Sequence, residues 1–241
     1  MKSKYLLIVV AFLFSYTTQA KNYKILVFAK TAGFHHGSIL VGLPAIQELG
    51  AENNFAVDTT TNSGLFTPVN LKQYAAVVFL NTTGDVLNDM QQTAFEQYIK
   101  GGGGFVGVHA ASDTEYGWPW YGQLVGAYFV NHPAQQEATL HIVDRKSIAT
   151  RHLPEKWTRK DEWYNFKDIQ PDIHVLITLD EKTYKGGTNG ERHPMAWYHS
   201  FDGGRSFYTG LGHVDASYTD PLFLKHLLGG IQYAMGQKRI D

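Results

Sequence analysis

Tyr74-Ala75-Ala76-Val77-Val78-Phe79-Leu80-Asn81 is an unbroken apolar run. Polar Thr82 to Asp85, an amphipathic stretch from Asn88 to Lys100, Gly101 to Gly104, and then Phe105-Val106-Gly107-Val108 follow it. A short apolar run bounded by turn residues reads as a strand buried on both faces. Helical spacing from Asn88 to Lys100 puts Met90, Ala94 and Tyr98, with Phe95 and Ile99, on one inward face. Strand, helix and strand at this spacing make a βαβ unit. Such units build a parallel sheet covered by helices on both faces.

Toward the N-terminus, Tyr23 to Ala29 reads as the first strand and Lys30 to Gly37 as a loop. Ser38 stands as the N-cap of a helix over Ile39 to Leu49 with Gly50 as its stop, although Pro44 counts against a clean helix. Phe55 to Asp58 is a second short strand. Toward the C-terminus, Ala138 to Val143, His174 to Leu179, Pro194 to His199 and Ser206 to Leu211 read as strands. Asp220-Pro221 starts a closing helix with Leu224, Leu227, Leu228 and Ile231 as its buried stripe. The expected fold class is α/β, three-layered and doubly wound, flavodoxin-like, with a mostly parallel sheet and antiparallel additions in the second half.

The chain has 241 residues, 44% hydrophobic and 18% charged, enough for a proper core and too apolar for a disordered chain. Lys and Arg number 21 against 22 Asp and Glu, so no basic surplus argues for a nucleic-acid partner. Lys2 and Lys4, an apolar run from Tyr5 to Phe14, and Thr18 and Ala20 at the −3 and −1 places read as a secretory signal peptide over residues 1–20. One domain is expected over 21–241. The apolar run is too short to span a membrane, so no membrane association is expected after cleavage. Cleavage removes two lysines and no acid, leaving a formal charge of −3. With no cysteine at all, disulfides, thiolate metal sites and a Cys nucleophile are excluded. A secreted chain without disulfides suits a bacterial periplasm.

In open α/β sheets, ligands bind beyond the carboxyl ends of the strands. Three segments at that edge carry histidine: Gly33-Phe34-His35-His36-Gly37 after the first strand, His109-Ala110-Ala111-Ser112-Asp113 after the fourth, and Gly212-His213 after the last. The turn after the fourth strand has the form of a nucleophile elbow with His109 at its tip. Imidazole there suits proton transfer or metal binding rather than acyl chemistry. Other polar candidates are Asn131-His132-Pro133, the paired carboxylates of Asp161-Glu162-Trp163-Tyr164, and Arg192-His193-Pro194-Met195-Ala196-Trp197. Trp118-Pro119-Trp120-Tyr121 offers aromatics that can stack on a sugar or simply fill core. Gly101 to Gly104 precedes a strand and lacks the Gly-Lys-Ser/Thr ending, so it is no phosphate loop.

These motifs, with Gly103-Gly104-Phe105-Val106-Gly107-Val108-His109, His193-Pro194-Met195-Ala196-Trp197 and Gly203 to His213, resemble the ThuA-like family, named for trehalose utilisation. The resemblance runs from about Tyr23 to Gly236. It implies the class I glutamine amidotransferase-like fold, with His109 where amidotransferases carry their cysteine. Amidotransfer is thereby excluded, since no thiolate exists to form the acyl intermediate. The resemblance further implies carbohydrate catabolism on sugars first oxidised to a 3-keto form by a partner dehydrogenase.

A ketone acidifies the neighbouring C–H, so a positioned imidazole can take that proton, giving a lyase, an epimerase or a hydrolase. His109 or His36 is the expected base, with His213 and Glu162 completing the catalytic set. His35, Ser112, Asp113, Trp118, His132, Tyr164, His193 and Trp197 are expected to bind substrate. A divalent cation such as zinc, held by His109, His132 and His213, is compatible with these residue types. The competing reading is a non-catalytic periplasmic sugar-binding module.

Overall fold

A computed structural model describes residues 23–240 of the chain. The expected signal peptide over 1–20 lies outside the described residues. Nine strands form one sheet in the order β2-β1-β3-β4-β11-β10-β9-β6-β7. The first four are β1 (Tyr23–Phe28), β2 (Phe55–Thr60), β3 (Ala76–Leu80) and β4 (Gly104–Val108). With β11 (Gly204–Thr209) they make a five-stranded parallel half. The other half is antiparallel: β6 (Gln136–Ile142), β7 (Lys156–Asp161), β9 (His174–Leu179) and β10 (Pro194–Phe201). A separate two-stranded ribbon pairs β5 (Tyr128–Asn131) with β8 (Asn165–Lys167).

The parallel strands are buried end to end because helices cover both faces. Helices α1 (Ile39–Glu52) and α5 (Pro221–Ala234) pack on one side. Helices α2 (Pro68–Leu71), α3 (Asp89–Lys100) and α4 (Pro119–Val125) pack on the other. Phe28, Phe66, Phe79, Phe95 and Phe105 meet edge-on and stacked beneath α3. Local chemistry sets the helix ends. Asn88 and Gln91 form a reciprocal capping box on α3, and Asp220 caps α5 ahead of Pro221. Each such cap contributes about 1 kcal/mol.

Several expectations are adjusted by packing. Helix α1 carries Pro44 inside it and runs past Gly50 to Glu52. Ser38 sits at its N-cap, but the hydroxyl makes no cap bond. It donates instead to the Gly212 carbonyl and accepts from the Asn81 amide. Met90 is 79% exposed rather than inward. At 3.6 residues per turn it lies about 120° from the centre of the Ala94, Phe95 and Ile99 face. On α5 the row Phe223, Leu227 and Ile231 faces the sheet, while Leu224 and Leu228 are half-buried at its margins. Strand β7 escapes the apolar pattern because only Trp157 and Asp161 of Lys156–Asp161 turn fully inward.

Two predictions follow from this packing. A β-carbon on Gly104 would strike the Ala234 carbonyl, where β4 and α5 touch backbone to backbone. Gly104→Ala should therefore cost about 2 kcal/mol or more in urea unfolding, whereas Gly117→Ala, whose β-carbon meets nothing, should cost far less. His226 is fully buried between the Ala149 carbonyl and the Thr209 hydroxyl. Burial, only partly offset by the Ala149 carbonyl, lowers it from 6.5 to about 4. The unfolded chain takes up this proton first as pH drops, so stability falls between pH 6.5 and pH 4. The loss is roughly 3 kcal/mol from this group, and urea titrations across that window should show a shallower slope in His226→Gln.

Candidate functional site

Parallel pairing sets the carboxyl ends of β1, β3, β4 and β11 side by side. β4 ends at Val108 and the chain turns sharply at His109, whose φ is 46°. That left-handed backbone is unfavourable for a residue with a β-carbon, and the surroundings must hold it. The Tyr208 hydroxyl donates to the His109 carbonyl at 2.7 Å and accepts from Ser112 at 2.9 Å. The turn delivers the His109 ring to the sheet edge. His36 arrives from the loop after β1, His213 from the loop after β11, and Glu162 from the end of β7.

Four groups converge there. The three imidazoles stand edge to face, with ring centres 5.0 to 5.2 Å apart. His109 Nε2, His213 Nδ1 and Glu162 Oε2 form a triangle with sides of 3.1, 3.1 and 3.3 Å. The fourth group, His36, offers a ligand atom that lies, like the other three, within 4.8 Å of the rest of the set. His36 is 3% exposed and its Nδ1 is buried without a hydrogen-bond partner.

Proton positions follow from the partners. The Gly210 carbonyl lies 2.9 Å from His109 Nδ1 and can only accept, so Nδ1 carries a hydrogen and Nε2 turns inward to Glu162 and His213. Burial would raise the Glu162 carboxyl, but hydrogen bonds from His109 and His213 outweigh it and hold the group far below the carboxylate range. Burial, with the neighbouring His109 and His213, lowers His36 to about 3, so this ring stays neutral. An anion and the inner nitrogens of two imidazoles thus face one point. A positive species must lie between them, either a proton on His109 Nε2 or His213 Nδ1 or a cation.

The triangle fits a cation. Ligand atoms 2.0–2.1 Å from a tetrahedral zinc lie about 3.3 Å from one another. Outer contacts complete the pattern, since ligating imidazoles usually bond their second nitrogen elsewhere. Gly210 serves His109, and the Gln135 side-chain amide meets His213 Nε2 at 2.7 Å. With its amide turned over, Gln135 presents oxygen, keeps the hydrogen on Nε2 and frees Nδ1 for a metal.

A cavity of about 360 Å³ opens over this centre, walled by Phe34, Phe129 and Tyr164 and by Asp113, His132 and Gln135. His132 Nδ1 lies 2.9 Å from the Pro133 carbonyl and 3.3 Å from Glu162 Oε1, so it also carries the hydrogen there, leaving Nε2 basic. His132 is therefore a neighbour of the four-donor group, not one of its members; His36 and Glu162 stand where the expected metal set had His132.

Other expected substrate residues lie elsewhere. Trp118 is buried against Trp120 and Tyr121 and donates to Glu96 on α3. Trp197 is core: it stacks on Tyr208 and donates to the Val125 carbonyl. His193 is buried between Glu181 and the Tyr164 carbonyl, so it positions the Glu162–Tyr164 segment from behind. Ser112 bonds Tyr208 beneath the turn. His35 is exposed and bonds Thr31. Tyr164 does meet the site, its ring 4.1 Å from His109.

Gln135 and Phe129 escaped the sequence reading as site residues, and Asp161 entered it only as the carboxylate paired with Glu162. Asp161 takes the Glu162 N–H on one oxygen and the Gly212 N–H on the other, joining the residues just before Glu162 and His213. Its only sequence signal was adjacency to Glu162.

The fold is shared with solved structures. A ThuA-like protein from Bacteroides uniformis superposes with a TM-score of 0.77 at 24% identity, over 92% of this chain and 95% of that one. One from Parabacteroides merdae gives 0.75 at 23%, over 90% and 91%. A β-galactosidase from Bacillus circulans gives 0.60 at 12%, over 89% of this chain but 31% of that one. No curated protein matches the chain. The α/β fold is thus the glutamine amidotransferase-like one implied by the resemblance. The family model described as trehalose utilisation matches residues 24–234, and the chain belongs to that ThuA family, which places it broadly in carbohydrate utilisation.

Proposed function

We propose that the chain is an enzyme acting on an oxidised, 3-keto sugar or glycoside, with a divalent cation held by His36, His109, Glu162 and His213. The observation that carries this reading is the triangle of 3.1 to 3.3 Å between His109 Nε2, His213 Nδ1 and Glu162 Oε2. A bound divalent cation supplies Lewis acidity to a carbonyl oxygen.

The chain's own groups divide the remaining work. Phe34, Phe129 and Tyr164 offer apolar walls to the C–H face of a sugar ring. His132 Nε2 is the base that takes the C–H proton beside the ketone, because its Nδ1 hydrogen is engaged below. His36 and His109, the bases expected from sequence, serve as donors to the cation instead. His36 binds a proton too weakly for the role, and His109 Nε2 faces inward. Loss of the anomeric substituent, reprotonation or hydration then gives a lyase, an epimerase or a hydrolase. A dehydrogenase must supply the ketone, and the expected leader would put both proteins in a periplasm.

Two outcomes are expected. Calorimetry with zinc or manganese should show one cation per chain, and Glu162→Gln should weaken it about 100-fold without loss of fold, while Gln135→Ala costs about tenfold. Mass spectrometry of native and keto-disaccharides should show turnover of the keto forms alone, abolished by chelator and restored by metal. Turnover indifferent to chelator removes the cation. Sugar returned unchanged under all conditions removes the enzyme and leaves a binding module. His132→Ala should keep the cation and lower kcat on a keto-glycoside by about 10²- to 10⁴-fold; full turnover assigns the base elsewhere.

A further inference from the structure

One carboxyl in the cavity has no part in the scheme above. We infer that Asp113 is the general acid of this site, giving its proton to the oxygen that leaves the anomeric carbon. The inference rests on the keto-glycoside reading and adds to it the class of substrate: a glycoside whose leaving oxygen needs protonation.

The argument begins with hydrogens. The Tyr116 hydroxyl lies 2.7 Å from Asp113 Oδ1 and 2.9 Å from the Phe129 carbonyl oxygen. A phenol has one hydrogen, and a carbonyl can only accept. If Tyr116 donates to an ionised Asp113, its single hydrogen is spent there and the Phe129 carbonyl is left to solvent. If Asp113 carries a proton, it donates to Tyr116 and Tyr116 donates onward to Phe129. The protonated carboxyl supplies a hydrogen to each of the two contacts.

Electrostatics agrees. Burial raises the Asp113 carboxyl above its ordinary value, outweighing the Tyr116 hydroxyl and the nearby His109 and His132. The other ionisable groups around it are Tyr164 and Tyr208, and Lys167, whose ammonium lies over the Tyr116 ring. A carboxyl raised by burial holds its proton to higher pH than an exposed one, which is the direction a proton donor needs. Its place is also fixed. Asp113 closes the short helical turn His109–Asp113, and its carbonyl accepts from Gly84 N–H at 2.8 Å. It lines the same cavity as His132 and Glu162.

The step balances. His132 Nε2 takes the proton on the carbon between the ketone and the anomeric carbon. That electron pair becomes the new carbon–carbon double bond as the bond from the anomeric carbon to oxygen breaks. The oxygen accepts the Asp113 proton and leaves as an alcohol. Imidazolium and carboxylate remain, and exchange with water restores both.

The test compares 4-nitrophenyl and methyl 3-keto-glucosides on the metal-loaded enzyme. A nitrophenolate leaves without a proton, whereas methoxide does not. Asp113→Asn should lower kcat/KM for the methyl glycoside about 100-fold or more, the usual worth of a general acid. The nitrophenyl glycoside should stay within a few fold. Equal losses on both, or no loss on either, overturn the proposal. A second measurement is independent of turnover. The carbon-13 resonance of the Asp113 carboxyl, assigned by its absence from Asp113→Asn, should titrate above the ordinary value. Titration at or below that value overturns the proposal even if no sugar reacts. A wild-type enzyme that leaves both glycosides intact sinks the keto-glycoside reading instead.

Discussion

Side-by-side parallel pairing of β1, β3, β4 and β11 is the constraint on which the rest of the molecule depends. Parallel strands must all end at the same edge, so every loop that follows one opens there. Their faces are consumed by helices, and only that edge is left for chemistry. His36, His109 and His213 reach one point because they follow β1, β4 and β11. The Ser38 hydroxyl bonds Asn81 and Gly212, stitching the ends of β3 and β11 to the start of α1.

The antiparallel half supplies what the parallel half lacks, an anion. β7 is the last strand of the sheet order, yet its end lies against Gly212, so the sheet curls back on itself. Asp161 and Arg159 make the closure. Asp161 takes the N–H groups of Glu162 and Gly212, and Arg159 reaches Ser217 and Asp220. Bringing a carboxylate into a nest of imidazoles costs desolvation that only a positive partner offsets. The positive φ of His109 is a second such cost, held in place by Tyr208 and Ser112. Strain and buried charge at one spot are features that cluster at functional sites.

Much of the architecture is legible in apolar runs. Strands β3 and β4 and the inner part of β1 stand out because full burial demands continuous apolar sequence, and helix α3 because its one buried face repeats at helical spacing. Strand β7 does not, since half of Lys156–Asp161 faces water and its inward residues include a charge. The aromatic pair Trp118 and Trp197 shows the reverse failure. A large ring is equally suited to a sugar and to a core, and neighbours in space decide between them. His193 and His213 look alike along the chain, but one lies behind Tyr164 and the other faces the cavity.

Residue order alone determined the parallel half of the sheet, the edge at which its loops open, the histidines those loops carry and the absence of thiol chemistry. It did so because strand burial and crossover connections leave local marks. Tertiary structure alone decided that Glu162 joins His36, His109 and His213 while His132 stands beside them, and that the Tyr116 hydroxyl meets both Asp113 and the Phe129 carbonyl. These are contacts between segments as many as 177 residues apart, set by the curl of the sheet and the turn at His109, and no local pattern encodes them.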